Sequence, residues 1–353
     1  MLAAPPALLF AASAGAQERQ PRDGPRRRVL SAAISEAPNE EFADAVTQAK
    51  GHGVSAVPLS VFWDDIEREP GRFEPEPNWT AIANQFFPVL GLRVQFVISV
   101  IDTNQDRRPA WLRQQRFNSP QTMASFARLI DWVLGAIPDL NLVSFAIGNE
   151  IDALLGNDAA RWRDYNALWR AGAARVRAMR PRTPLGAKLT WGGWAGGGVS
   201  GAALRQAEAL VDASDRLMVT YYPLQPDFRM KPLGAVEADI AALAARRRAK
   251  PIEIAEVGYS SSPRCGGSPA RQAAFVRTVF RAWDSHRAAM PVVSLFSWTD
   301  FPPAQVDELV RYYGIESPGF RGFLEGLGLR NADGRPKPAL AALGEEARAR
   351  GLV

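Results

Sequence analysis

The chain has 353 residues, a formal net charge of +5, a pI of about 9.6 and 47% hydrophobic residues, enough for one large α/β barrel or two ordinary domains. Its basic residues are overwhelmingly Arg, scattered through Ala-rich helical segments, which argues against a nucleic-acid surface with its clustered stripe and recognisable motif. One cysteine, Cys265, rules out an internal disulfide, and with His52 and His286 as the only histidines the ordinary zinc or iron ligand set is missing, so any chemistry falls to carboxylates.

Residues 1–17, MLAAPPALLFAASAGAQ, read as a signal peptide: a short apolar core is followed by the small-residue pattern Ala14-Gly15-Ala16, although a basic n-region is missing. The expectation is a periplasmic or secreted protein. Residues 18–27 are polar and Arg/Pro-rich, a linker. No later segment offers the roughly 18 uncharged apolar residues of a membrane helix.

A first short strand is predicted over 28–35 (RVLSAAIS), followed by a helix ending at Gly51 and Gly53. The second strand, 54–63 (VSAVPLSVFW), runs into a Pro/Gly-rich loop, DDIEREPGRFEPE. The third, 92–102 (LRVQFVISVID), is continuous and β-branched, as buried parallel strands are. Ser119 before Pro120 marks a helix start. The fourth strand ends in FAIGNE, apolar or small residues stopping at Asn149 and Glu150. A long helix follows over 158–180. The fifth strand (184–191) leads into a glycine-rich loop, GGWAGGG. The sixth (216–223), seventh (250–259) and eighth (291–301) alternate with helices. After the eighth the chain closes with a loop, a turn and a last helix. Eight strands alternating with helices predict a single (β/α)₈ TIM barrel over 28–353. The glycine run after strand five lacks the spacing and position of a doubly wound sheet's phosphate turn.

In such a barrel the C-terminal ends of the strands form the active-site mouth. They collect Trp63 on strand two, Asp102 on three, Asn149 and Glu150 on four, and Lys188 and Trp191 on five. Tyr221 and Tyr222 end strand six, Glu256 strand seven, and Trp298 and Asp300 strand eight. An acidic, aromatic mouth without histidine suits sugars, which stack on rings and hydrogen-bond to Asn, Asp and Tyr. Two glutamates at strands four and seven match the pair that glycosidic cleavage with retention requires, one carboxylic acid and one attacking carboxylate, with a carboxyl separation of roughly 5–5.5 Å. The two roles need different environments.

The ordered set resembles the clan A retaining β-glycosidases built on the (β/α)₈ barrel, which include cellulases, mannanases, β-galactosidases and endo-galactanases. The matching pieces are Asn149-Glu150, IAEVGY with Glu256, a Tyr ending strand six, Trp298 in LFSWTDF, and FWDDIEREPGRF, similar to the clan's Trp-x-x-Ile-Glu-x-x-x-Gly turn. The ending GLGLRNADGRPKPAL matches as well, and the resemblance spans roughly residues 28–350. It implies a hydrolase acting on a polysaccharide or oligosaccharide without a cofactor, with Glu150 as acid/base and Glu256 as nucleophile. It also implies Asn149 on the sugar 2-hydroxyl, Tyr221 or Tyr222 orienting Glu256, and Trp298 flooring the first subsite. Asp102, Trp63 and Trp191 are further candidates for the substrate-binding surface. The Arg that many members carry on strand two is absent from AVPLSVFW. That absence leaves room for a carbohydrate-binding barrel without activity; separately, Lys188 on strand five offers a lyase or aldolase alternative in which it acts as a Schiff-base amine. Glu253 reads as a barrel-wall charge paired with Arg or Lys.

Overall fold

The computed structural model describes residues 28–353. The segments read as a signal peptide (1–17) and a linker (18–27) lie outside the described residues. The barrel strands are β1 (Val29–Ala32), β2 (Ala56–Phe62), β3 (Arg93–Asp102), β4 (Leu142–Asn149), β5 in two pieces (Leu185–Gly186 and Lys188–Thr190), β6 (Leu217–Tyr221), β7 (Ile252–Val257) and β8 (Val292–Leu295). All neighbouring barrel strands pair in parallel. One arm runs β1 to β4 and the other runs back from β1 through β8, β7 and β6; β5 completes the ring, its first piece on β4 and its second on β6. The runs are apolar throughout because helices cover them outside and side chains fill the barrel inside; nine of the ten β3 residues are buried.

The covering helices are α1 (Phe42–Gly51), α2 (Trp79–Phe86), α3 (Pro120–Ala136), α4 (Ala159–Met179), α5 (Gly201–Ala213), α6 (Gly234–Ala245), α7 (Pro269–Ser285) and α8 (Pro338–Ala349), one after each strand. Their starts follow local chemistry. Ser119 accepts from Thr122 N with Pro120 behind it, Asp158 accepts from Ala160 N and Arg161 N, and Ser268 accepts from Arg271 N ahead of α7. Among the described residues no helix is long and apolar enough to cross a membrane.

Three segments differ from the expected loops. The stretch after β2 forms a short helix (Trp63–Ile66) and a two-stranded hairpin (Glu67–Glu69 with Arg72–Phe73). Its Trp-x-x-Ile-Glu-x-x-x-Gly pattern is one hydrogen-bonded unit. Glu67, fully buried, accepts from Trp63 Nε1 at 2.7 Å, Gly71 N at 2.8 Å and Ser125 Oγ at 2.7 Å. A buried carboxylate is retained only with such donors. GGWAGGG begins as a one-turn helix (Trp191–Trp194), and a Cβ on Gly193 would lie 1.9 Å from Asp152 Oδ2, so glycine is required by close approach. Finally, the expected loop after β8 holds two helices, a roof helix (Pro303–Tyr313) and Pro318–Glu325. PAQVDELVRYYG carries a helix-starting Pro and a C-terminal Gly in the left-handed region, a signal present in the sequence.

Candidate active site

β4 delivers Glu150 through two unusual backbone positions. Gly148 has φ +84, and a Cβ there would sit 2.4 Å from the Tyr165 hydroxyl, which donates to Ile147 O at 2.8 Å. Glu150 itself lies in the left-handed region, φ 48 and ψ 42. Thr103, at the end of β3, is left-handed too, with φ 53. A β-branched residue rarely takes that conformation. Each such position costs on the order of 1–3 kcal/mol, and such residues cluster where function over-determines the backbone. The strained pair meets: Thr103 Oγ1 donates to Glu150 Oε2 at 2.7 Å, while Thr220 Oγ1 on β6 donates to Oε1 at 2.5 Å. Glu150 keeps a partly exposed residue surface, but its carboxyl is enclosed by protein. Burial, and then the nearby Glu256 charge, push it up to about 7 against the pull of the two threonine hydroxyls.

β7 brings Glu256 to the same mouth by means of a bulge. Glu253 reaches across the barrel to Gln95 and Ser144 at 2.8 and 2.7 Å, so it points inward. Three residues later, strict alternation would turn Glu256 outward. The β6–β7 register steps from Val219↔Ile254 to Thr220↔Glu256, which leaves Ala255 as the extra residue and returns Glu256 to the barrel side. Glu256 Oε1 accepts from Lys188 Nζ at 3.1 Å and Oε2 accepts from the Tyr222 hydroxyl at 2.8 Å. Glu253 pairs with Arg216 at 2.8 Å, the wall charge expected.

The polar floor continues beside Glu150. Asn149, 9% exposed, donates from Nδ2 to Asp102 Oδ1 at 2.9 Å, and its buried Oδ1 has no protein partner. Asp102 also accepts from the Tyr312 hydroxyl at 2.6 Å. Asp152, two residues after Glu150, accepts from Thr190 N and Oγ1 and ties this turn to β5; burial pushes it up to about 6.

The roof helix follows β8 in the chain, and its last turn meets the loop after β3. Asn104 Nδ2 and Gln105 Nε2 donate to the carbonyls of Tyr313 and Tyr312, and Arg107 Nη1 donates to the Tyr312 hydroxyl. The Tyr313 phenol is held well above its ordinary range by burial and then by the charges of Asp102, Glu150 and Glu256, which it faces. The sequence reading missed Tyr312 and Tyr313 because it took this helix for a loop. It also missed Thr103 and Thr220 as partners of Glu150.

Four aromatic expectations require correction. Tyr221 is buried on the outer face, donating to Asp239 Oδ2 at 2.9 Å and standing edge-on to Trp191; Tyr222 alone of the two tyrosines reaches Glu256. Trp298 is 0% exposed, against the His52 ring and the Arg330 guanidinium, and has no surface to offer a sugar. β8 ends at Leu295 and not at residue 301, so Trp298 lies past the strand end; Phe296, partly buried and edge-on to Tyr222, is the aromatic on the mouth side. Trp63 is fully buried by Glu67 and Phe126. Trp191 donates to Asp239 O, with Lys231 over its ring, in the layer outside β6. Asp300 is held by Lys337 and Gly328 N, away from both glutamates. Among the described residues no group of three or more His, Cys, Asp or Glu side chains is placed to hold a metal ion.

A tyrosine substitution separates the two phenols. Tyr222→Phe removes a hydrogen bond to a charged group, worth about 1.5–3 kcal/mol, so turnover should fall by roughly 10- to 150-fold. Tyr221→Phe should leave turnover within about twofold and lower the melting temperature instead. Equal kinetic effects in the two variants would contradict this placement.

Searches of the sequence against protein-family models and against curated proteins find no match. Solved structures do resemble the fold. The exo-β-1,4-mannosidase Op5Man5 of an Opitutaceae bacterium is 18% identical with a TM-score of 0.68, over 92% of this chain and 59% of that one. A GH5_18 variant from Bifidobacterium longum, in complex with Manβ1-4GlcNAc, is 15% identical with a TM-score of 0.69, over 92% and 79%. A family 39 glycoside hydrolase from Bacteroides cellulosilyticus is 16% identical with a TM-score of 0.59, over 91% and 64%. At identities of 15–18% the likeness establishes the fold: this chain is a (β/α)₈ barrel of the kind those glycosidases share.

Proposed function

We propose that this protein is a retaining β-glycoside hydrolase in which Glu150 is the acid/base and Glu256 the nucleophile. The observation that carries the reading is the contrast between two carboxylates in one mouth. Glu150 is enclosed, holds neutral hydroxyl partners and is pushed up to about 7, which lets it keep a proton near neutral pH. Glu256 is held by an ammonium and a phenol, the donors that suit an attacking carboxylate. In the first step Glu150 gives its proton to the glycosidic oxygen, the C1–O bond breaks, and a Glu256 oxygen bonds C1. In the second, Glu150 takes a proton from water, the water oxygen bonds C1, and the ester to Glu256 breaks.

The substrate proposed is a β-mannoside taken from a chain end. Two structural relatives support it, one named an exo-β-1,4-mannosidase and the other in complex with Manβ1-4GlcNAc. The roof helix supports an end-on mode, because its last turn is tied to the loop after β3 and its Tyr313 phenol faces both glutamates, enclosing one side of the site. Lys188 is committed to the ion pair with Glu256, which disfavours the Schiff-base alternative. The test is a panel of nitrophenyl β-glycosides, Manβ1-4GlcNAc, and β-glucan, mannan, galactan and xylan, with the first-formed anomer read by NMR. Release of β-mannose with retention is expected. Inversion would refute the two-step mechanism. Sugar binding by calorimetry with no hydrolysis of any member would leave a binding barrel.

A further inference from the structure

We propose that Lys188 is the positioning residue that fixes Glu256 and supplies its counter-charge, a cation on β5 serving a barrel whose β2 carries none. The inference rests on Glu256 acting as nucleophile. Lys188 is 2% exposed, and among the described residues its ammonium has one acceptor, Glu256 Oε1 at 3.1 Å. The second oxygen of Glu256 is held by Tyr222 at 2.8 Å, so donors from β5 and from the end of β6 fix both oxygens and thereby the carboxylate plane. Lys188 is aimed by β5 itself: its second piece pairs with β6 in the register Met218↔Lys188 and Thr220↔Thr190, and Thr190 is locked by Asp152. The β2 run AVPLSVF contributes no basic side chain.

The pairing has a chemical consequence. A buried ammonium is costly without an anion beside it. When Glu256 bonds C1 its negative charge passes to Glu150, which has given up its proton, and Lys188 loses the carboxylate it touches directly. The ester is therefore raised relative to the free carboxylate, so Lys188 speeds departure of Glu256 in the second step as well as holding it for the first. Among the described residues Tyr222 after β6, Glu150 after β4 and Tyr313 on the roof helix also face Glu256, and none of these three is a cation.

The experiment compares wild type, Lys188→Met and Lys188→Arg. Carboxyl NMR of Glu256, assigned with Glu256→Gln, is expected to show its titration moving up by about one pH unit or more in Lys188→Met, equivalent to a tenfold change in protonation, and returning most of the way in Lys188→Arg. The acidic limb of kcat/KM should move the same way, and kcat should fall at least roughly tenfold in Lys188→Met. A purely structural lysine would lower the melting temperature and leave both titrations in place, and that result overturns the inference. If Lys188→Met does not fold, the reciprocal measurement decides: ¹⁵N titration of the Lys188 ammonium in wild type and in Glu256→Gln should differ by a similar amount, and identical titrations overturn it. The NMR readouts need no turnover. A wild type inert on every glycoside with the shift present would refute the hydrolase reading alone; activity without the shift would refute the role of Lys188 alone.

Discussion

Glu256→Ala is expected to lose about 10⁵-fold or more in kcat on an aryl β-glycoside, a loss of the size seen when an obligate nucleophile is removed. Folding should survive, because Glu256 stands at the mouth and makes its hydrogen bonds with two side chains, Lys188 and Tyr222. Truncation leaves those two donors in place around a vacated carboxylate. That is an anion site with a buried ammonium on one side and a phenol on the other. Added azide should occupy it, attack C1 from the nucleophile's face and restore turnover, giving the α-glycosyl azide, inverted at C1. Rescue should be weaker in Glu256→Ala/Lys188→Met, where the cation is gone. Product NMR and initial rates check both points. A Glu256→Ala enzyme that keeps its activity, or a rescued product of β configuration, removes Glu256 from the role of nucleophile.

The barrel was legible because its signals are redundant. A run such as RVQFVISVID, continuous and β-branched, suits an inner parallel strand, and Ser119-Pro120 ahead of an amphipathic stretch suits a helix start. Glu150 and Glu256 were legible as strand-end charges. What they touch was not, because contacts at a strand end depend on which face each side chain takes, and a shift of one residue reverses it. Ala255 is the clearest case: nothing in IEIAEV announces the bulge that turns both Glu253 and Glu256 inward. Trp298 is misplaced for a different reason: the predicted strand runs to residue 301, but β8 stops at Leu295, so Trp298 lies beyond the strand end. The hydroxyls of Thr103 and Thr220 come from β3 and β6, and no spacing in the sequence links residues 47 and 70 positions from Glu150. The strain at Thr103 and Glu150 belongs to the fold as well, since neither residue type favours a left-handed backbone.

Glu150→Gln should be strongly impaired on ordinary glycosides yet, near neutral pH, more stable than the wild type, and the two effects share one cause. The carboxyl is pushed up from 4.5 to about 7 by burial and by the Glu256 charge. A group raised in the folded state adds stability that is fully present below its unfolded value and is lost as pH rises through the folded value. Below about pH 4 the wild type and Glu150→Gln should therefore be equally stable. Between about pH 4.5 and 7 the unfolded wild-type chain releases a proton that the folded one retains, and wild-type stability falls relative to the variant. Above pH 7 the gap should level off at up to about 3 kcal/mol, from 1.36 kcal/mol per pKa unit. Urea melts at pH 4 and pH 8 measure it directly. The kinetic counterpart is a basic limb of kcat/KM near pH 7 in the wild type, where Glu150 loses the proton it must donate. In Glu150→Gln that limb should vanish, and kcat on a glycoside with a poor leaving group should fall by roughly 10²–10⁴-fold. A dinitrophenyl glycoside needs no protonation to depart, so the variant should still form the ester to Glu256 and accumulate it, visible as a mass increase of one sugar. Azide should then release the β-glycosyl azide, retained at C1 and opposite in configuration to the product from Glu256→Ala. A variant that keeps the pH 7 limb, or whose stability gap is the same at pH 4 and pH 8, would show that Glu150 is neither the proton donor nor the strained, enclosed acid described above.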